Sequence, residues 1–175
     1  MQIYYVRPEE SDIPEIEKLL RITFQDTFRK NNINSIFEIE EEIESKIVNV
    51  RKDIISRDRK YHFLIAKNES LVVGICAYFP VSVLIIDNID NINKDDLEIG
   101  CTYIHPEFQK MGIGNKLFAM TIEEMKRNYI KHYYLSSGFE SSQKYWKEKL
   151  GDPLSIIENI WGIGKHEYVW KMSIK

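Results

Sequence analysis

The stretch LEIGCTYIHPEFQKMGIGNKL, from Leu97 to Leu117, decides the fold. Its first part, Leu97 to His105, is rich in β-branched and aromatic residues as a strand is, and Pro106 closes it. From Gly112 to Asn128 the apolar residues Ile113, Leu117, Met120 and Met125 recur every three to five positions, which predicts a helix with one inward face. Strand and helix are joined by the short loop Gln109-Lys110-Met111-Gly112. A junction of this kind suits an anion, because the first N–H groups of a helix have no partners within it and carry the positive end of its dipole. At Gly112 and Gly114 the missing Cβ permits unusual backbone angles and close approach of a pyrophosphate to the peptide. Lys110 and Lys116 add mobile positive charge.

A Gly-x-Gly pair alone is a weak signal, and two better-defined phosphate signatures fail. The dinucleotide fingerprint GxGxxG has Leu117 at its third glycine position, and no GK[ST] follows as an ATP-binding P-loop requires.

Working outward toward the N-terminus, residues 2 to 6 read as a strand broken at Arg7-Pro8. Asp12 starts a helix, with Asp12 and Glu15 at capping-box spacing, Pro14 in the first turn, and Ile13, Ile16, Leu20 and Phe24 on one face. A second helix, from about Phe37 to Ser56, sets Ile39, Ile43, Ile47, Val50 and Ile54 opposite the acidic run Glu38, Glu40, Glu41, Glu42 and Glu44. That run reads as a solvated face, or as an attractor of a cationic amine. Tyr61 to Ala66 and Leu71 to Phe79 form a hairpin across Asn68-Glu69-Ser70 that ends at Pro80. Val83-Leu84-Ile85-Ile86 reads as an extension of its second strand, and Asp87 to Asp96 as a polar loop.

Toward the C-terminus, Lys131 to Ser136 is a strand, and Ser141 to Lys149 a short helix stopped by Gly151 and Pro153. Two final strands flank Gly162-Ile163-Gly164. The order is β-α-α-β-β-β-α-β-α-β-β, with no internal repeat.

The 175 residues suit one domain, 1–175, in which 43% hydrophobic and 29% charged residues match a soluble globular protein. A net charge of −3 argues against nucleic acid, whose backbone is bound by clustered Lys and Arg. No run approaches membrane-spanning length and no basic-then-apolar leader is seen, so the expected location is cytoplasmic. Cys76 and Cys101 are too few for a disulfide framework and are expected as buried, reduced thiols. No Cys/His spacing suggests a metal. His62, His132 and His166 fall in strands, and His105 in the turn before the loop.

With strand, loop and helix placed, the chain resembles the GNAT superfamily of N-acetyltransferases. The family pattern Q/R-x-x-G-x-G/A is met by Gln109, Gly112 and Gly114 after a strand ending in His105-Pro106. The element order fits the family across nearly the whole chain, and Tyr145 to Gly151 echoes its fourth helix. The resemblance implies an α/β (α+β) fold, a mixed and mostly antiparallel twisted sheet of about seven strands flanked by about four helices. It implies acetyl-CoA as cosubstrate without a metal, and an amine acceptor, small molecule or peptide. Gln109, Lys110, Met111, Gly112, Ile113, Gly114 and Asn115 would hold the pyrophosphate. Tyr103 and Ile104 would pair through their backbone with the pantetheine arm, and Ser142 would touch the cofactor at the fourth helix. Ser136, Ser137 and Ser141 lie in the same neighbourhood. A backbone N–H near Ile104 would polarise the thioester carbonyl.

For the proton transfers, Glu98 stands eleven positions before Gln109, where histone-modifying members carry a catalytic glutamate. Burial would raise its pKa toward working pH, whereas its plainer reading is a solvated carboxylate at a strand start. Many relatives place a tyrosine four residues before the glycine that ends the fourth helix. Lys147 occupies that position here, and Asp152 stands where phenylalanine is common. Tyr145 is then the nearest phenol and the candidate general acid, with Trp146 at the usual site if one residue is inserted. The second class of function is a non-catalytic coenzyme A or acyl-CoA sensor. Trp161 and Trp170, around Gly162 and Gly164, suggest an edge for a homodimer.

Overall fold

The computed structural model describes residues 2–31, 36–58 and 60–175, with backbone alone at 36–38. Among them the chain forms β1 (Ile3–Val6), α1 (Ile13–Lys30), α2 (Ile36–Ser56), β2 (His62–Asn68), β3 (Leu71–Pro80), α3 (Val83–Asn88), β4 (Leu97–Ile104), α4 (Ile113–Arg127), β5 (His132–Ser137), α5 (Glu140–Leu150), β6 (Ser155–Ile157) and β7 (Glu167–Ser173). The seven strands make one mixed sheet in the order β1-β2-β3-β4-β5-β7-β6. This is the expected fold class, with α3 as an additional helix. The residues gather into two compact units, Met1–Tyr78 with Cys101–Glu124 and Phe79–Gly100 with Met125–Lys175.

In the first unit α1 buries Ile13, Ile16, Leu20 and Phe24, as their spacing predicts, and α2 buries Ile39, Ile43, Ile47 and Val50 while Ile54 is half-buried. The capping box is not the one expected. It joins Glu9 and Asp12 rather than Asp12 and Glu15, because a 3-10 turn over Glu10–Asp12 precedes α1. Asp12 already has helical angles (φ −86°, ψ −14°), whereas an N-cap requires the extended backbone that Glu9 supplies (φ −117°, ψ 167°). The Asp12 carboxylate instead accepts from Glu9 N–H at 3.1 Å and from Lys67 Nζ at 2.5 Å.

Asp53, on the inward side of α2, is fully buried and accepts from the Arg7 guanidinium and from Phe63 N–H at 3.2 Å. It therefore ties α2 to the exit of β1 and the start of β2. The β2–β3 hairpin pairs Asn68 with Leu71 around a turn in which Glu69 is left-handed (φ 55°).

In the second unit β5 and β7 are antiparallel with Ser136 opposite Val169, β6 continues the ladder with Ile157 opposite Glu167, and β4 runs parallel to β5 with Glu98 opposite Tyr134. Val83 to Ile86 does not extend β3. Ser82 O accepts from the N–H of both Ile85 (3.0 Å) and Ile86 (3.1 Å), which starts a helical turn directly after Pro80 and Val81. Only Ile85 of the run is fully buried, Leu84 packs partly buried against the same cluster, and Val83 and Ile86 are 70% and 46% exposed. Ile85 packs with Val81, Tyr134 and Val169 on one face of the sheet.

The polar loop that follows is tied down at Asp96. Its carboxylate accepts from Asn93 N–H at 3.0 Å and meets His132 Nε2 at 2.9 Å, and its carbonyl accepts from Val81 N–H at 3.1 Å. Both cysteines are buried and neither is in a disulfide. No helix among the described residues is long and apolar enough to cross a membrane.

Candidate functional site

In the first unit the site is built from the end of β4 and the start of α4. Cys101, in the middle of β4, is buried with a left-handed backbone (φ 52°) that breaks the regular pleat of the strand before Tyr103 and Ile104. The Tyr103 ring packs edge-on against Phe24 of α1, with centroids 4.9 Å apart. Beyond Ile104 the His105 N–H donates to Val73 O at 3.0 Å, and the chain makes a 3-10 turn over Pro106–Phe108. Gln109 then bends back, its Nε2 donating to Ile104 O at 3.1 Å. This hydrogen bond closes the loop on the strand it leaves and explains why a glutamine suits that position.

The two glycines divide the work that the sequence assigned to both. Gly112 is left-handed (φ 81°), and a Cβ added there would meet no atom within 4 Å, so its peptide faces open space. Gly114 is not left-handed. A Cβ there would stand 3.3 Å from Ile104 Cγ1, so Gly114 admits the Ile104 side chain between helix and strand. Gly74 on β3 does the same, its added Cβ lying 2.8 Å from Ile104 Cδ1. Lys110 is also left-handed (φ 62°), a strained state for a residue with a Cβ.

The first helical hydrogen bond of α4 runs from Lys116 N–H to Gly112 O at 3.0 Å. The N–H groups of Ile113 and Gly114 precede it and have no acceptor within the helix. Gln109, Lys110, Met111, Gly112 and Asn115 are exposed, Gly114 is half-buried, and Ile113 is buried as the anchor of the helix.

A residue the sequence did not single out stands on α2. Burial alone would lower the pKa of Lys46, but the Tyr103 hydroxyl, the Cys101 thiol and the Glu42 carboxylate hold its ammonium above the usual lysine range. Glu42 pairs with it at 3.2 Å, and Glu40 pairs with Arg21 of α1. Glu41 and Glu44 face solvent, so these four carboxylates form a solvated, partly ion-paired face. The Glu38 side chain lies outside the described residues.

In the second unit Glu98 is buried, at 6% exposure, rather than solvated at the strand start. Its Oε2 accepts from Ser82 N–H at 3.1 Å and its Oε1 from Ser136 Oγ at 2.9 Å. Ser136 thus serves the carboxylate, while Ser142 is half-buried on α5. Tyr145 is 42% exposed, accepts from Lys149 Nζ at 3.1 Å, and stacks edge-on against the buried Trp146. Lys147 and Asp152, the two departures from the family pattern, pair with each other at 3.0 Å on the surface after Gly151 ends the helix (φ 87°).

Glu167, at the start of β7, is the other residue that sequence reasoning passed over. It is 6% exposed and accepts from Trp161 Nε1 at 2.6 Å. Its signal was a lone carboxylate in an otherwise apolar and aromatic strand start, Glu167-Tyr168-Val169-Trp170. Among the described residues no group of three or more His, Cys, Asp or Glu is placed to hold a metal ion.

The model of the acetyltransferase (GNAT) family matches residues 16–151. Solved structures of the same fold include a GNAT-family protein from Desulfovibrio desulfuricans, 13% identical with a TM-score of 0.75 over 99% of this chain and 100% of that one. PaiA N-acetyltransferase from Thermoplasma acidophilum, in complex with coenzyme A, is 16% identical with a TM-score of 0.71 over 98% and 100%. The ribosomal-protein-S18-alanine N-acetyltransferase from Escherichia coli is 13% identical with a TM-score of 0.67 over 99% and 95%. No curated protein matches the chain. At these identities the structures speak for the fold, and the family model, which spans most of the sequence including the Gln109–Gly114 loop, speaks for kinship: the chain belongs to the acetyltransferase (GNAT) family.

Proposed function

We propose that the protein is an N-acetyltransferase that moves the acetyl group of acetyl-CoA to a primary amine by direct attack. The observation that carries this reading is the loop at Gly112. It is left-handed, open above its peptide, and followed at once by the N–H groups of Ile113 and Gly114, which have no acceptor within α4. These features fit a pyrophosphate, and the Thermoplasma relative was solved with coenzyme A.

Acetyl-CoA supplies a thioester whose acyl carbon is the electrophile. Residues 109–115 hold its phosphates, and the exposed Lys110 and Lys116 offset their charge. The backbone of Tyr103 and Ile104 receives the pantetheine arm and donates to the carbonyl oxygen, and Ser142 adds a contact from α5. Glu98 takes the proton that the amine loses as the C–N bond forms and the C–S bond breaks. Tyr145 offers its phenol to the departing thiolate.

Incubation of the protein with acetyl-CoA and a panel of primary amines, read by thiol release, tests the reading. Turnover with at least one amine is expected, and Glu98→Gln should lower it by about 10²–10⁴-fold. Acetyl-CoA binding without turnover on any amine would favour the sensor instead.

A further inference from the structure

We propose that Ser136 is a further catalytic residue of the transfer, a hydroxyl relay that takes the proton of the amine on its Oγ while passing its own to Glu98. The relay rests on Glu98 being the base. Three observations within the second unit carry it.

The first is the enclosure of Glu98. The carboxylate is buried on β4, and its Oε2 accepts from the Ser82 N–H at 3.1 Å where the chain enters α3. Alternation along β4 sets Gly100 on the same face as Glu98, and there the Phe79 ring takes up the room of a side chain. A Cβ added at Gly100 would come 2.7 Å from Phe79 Cζ. Neither a peptide N–H nor an aromatic ring takes up one proton and passes on another.

The second is the placement of Ser136. Glu98 lies opposite Tyr134 on β5, and Ser136, two residues further along, shares that face. Its Oγ–H donates to the other carboxylate oxygen, Oε1, at 2.9 Å. Ser136 is half-buried, whereas Tyr133, Tyr134, Leu135 and Ser137 around it on β5 are buried. The hydroxyl is thus the more accessible end of the pair it forms with Glu98.

The third is the chemistry of the group. A hydroxyl has one proton to give and two lone pairs to receive with. With its proton directed at Oε1, Ser136 still accepts through Oγ. As the amine attacks, its N–H bond breaks and a new Oγ–H bond forms, while the former Oγ–H bond breaks and Oε1–H forms. The electron pair of the N–H bond stays on nitrogen, which enters the amide neutral. Ser136 ends as it began, Glu98 ends protonated, and the same path in reverse returns the proton to solvent.

Kinetics of the full chain with acetyl-CoA and an amine it turns over, in mixtures of light and heavy water, test the relay. In the wild type kcat/KM for the amine should fall along a bowed curve as deuterium increases, because two protons move in one step. Ser136→Ala should lower its alkaline plateau by about 10²-fold and straighten the curve, and Ser136→Thr, which keeps the hydroxyl, should restore both. A straight line in the wild type overturns the proposal, whether or not the variants fold. So does a Ser136→Ala enzyme that keeps the bowed curve, or one that shifts only the acid limb of the pH profile and keeps the plateau, as a group merely holding Glu98 in place would. Glu98→Gln turning over as fast as the wild type sinks the base and the relay together; an impaired Glu98→Gln beside an unaffected Ser136→Ala sinks the relay alone.

Discussion

Cys101 adopts φ 52° in the middle of β4, a conformation that costs a residue with a Cβ about 1–3 kcal/mol and suits a branched one least. Cys101→Val, close in volume but branched, is therefore expected to lower the unfolding free energy by about 2 kcal/mol in urea denaturation. Cys101→Gly should cost much less, since freedom at φ offsets the lost thiol packing. A larger loss in Cys101→Gly than in Cys101→Val would show that the position is governed by volume rather than by its backbone angle. At the same scale the sequence shows that Gln109, Gly112 and Gly114 belong together, but not how they divide their tasks. Gly114 matters through the Ile104 side chain, a contact between residues ten positions apart that no local pattern encodes. Glu98 is a candidate base through its spacing from Gln109, and its burial was not legible there. Nor were its partners Ser82 and Ser136, because they reach it from α3's cap and from β5.

Among the elements, α1, α2, the β2–β3 hairpin, β4, α4 and α5 fall close to where their periods and breakers place them. The helix α3 does not. Its run Val83-Leu84-Ile85-Ile86 has strand composition, and six residues are too few for a helical period to stand out. Tertiary contact decides it, through Ile85 against Val81, Tyr134 and Val169. Ile85→Ala should consequently destabilise the protein by about 2–4 kcal/mol in urea denaturation, the range for a fully buried aliphatic residue. Val83→Ala, at a site 70% exposed, should change it by less than about 0.5 kcal/mol. Similar effects at both positions would mean that the run packs as a strand does, with residues 83 and 85 on one face. The capping box moves from Asp12–Glu15 to Glu9–Asp12, and the Asp12 carboxylate that closes it also accepts from Lys67, a partner 55 positions away that no local pattern shows.

On the scale of the whole molecule, stability should carry the imprint of His62. Burial, and next the Arg7 guanidinium, push its imidazole down to about 4, with Glu124 opposing and Arg57 adding to the effect. The native state thus holds His62 neutral, stacked on Tyr78 at 5.3 Å, whereas the unfolded chain takes up a proton near the ordinary value of 6.5. A depressed native pKa gives stability that is complete above 6.5 and is lost as pH falls toward 4. Relative to His62→Phe, which keeps the stack, the wild-type Tm should drop by on the order of 5 °C across that window; parallel curves would contradict it. The central claim concerns the loop from Gln109 to Asn115, which we propose holds the phosphates of acetyl-CoA and whose geometry gives Gly112 the exposed position. Calorimetric titration of acetyl-CoA into wild type and Gly112→Glu tests it most directly. Binding in roughly the micromolar range is expected for the wild type, weakened by about 100-fold or more when a carboxylate is set in the phosphate cradle. No binding to the wild type at roughly millimolar acetyl-CoA, or equal affinity in the two proteins, would contradict the account.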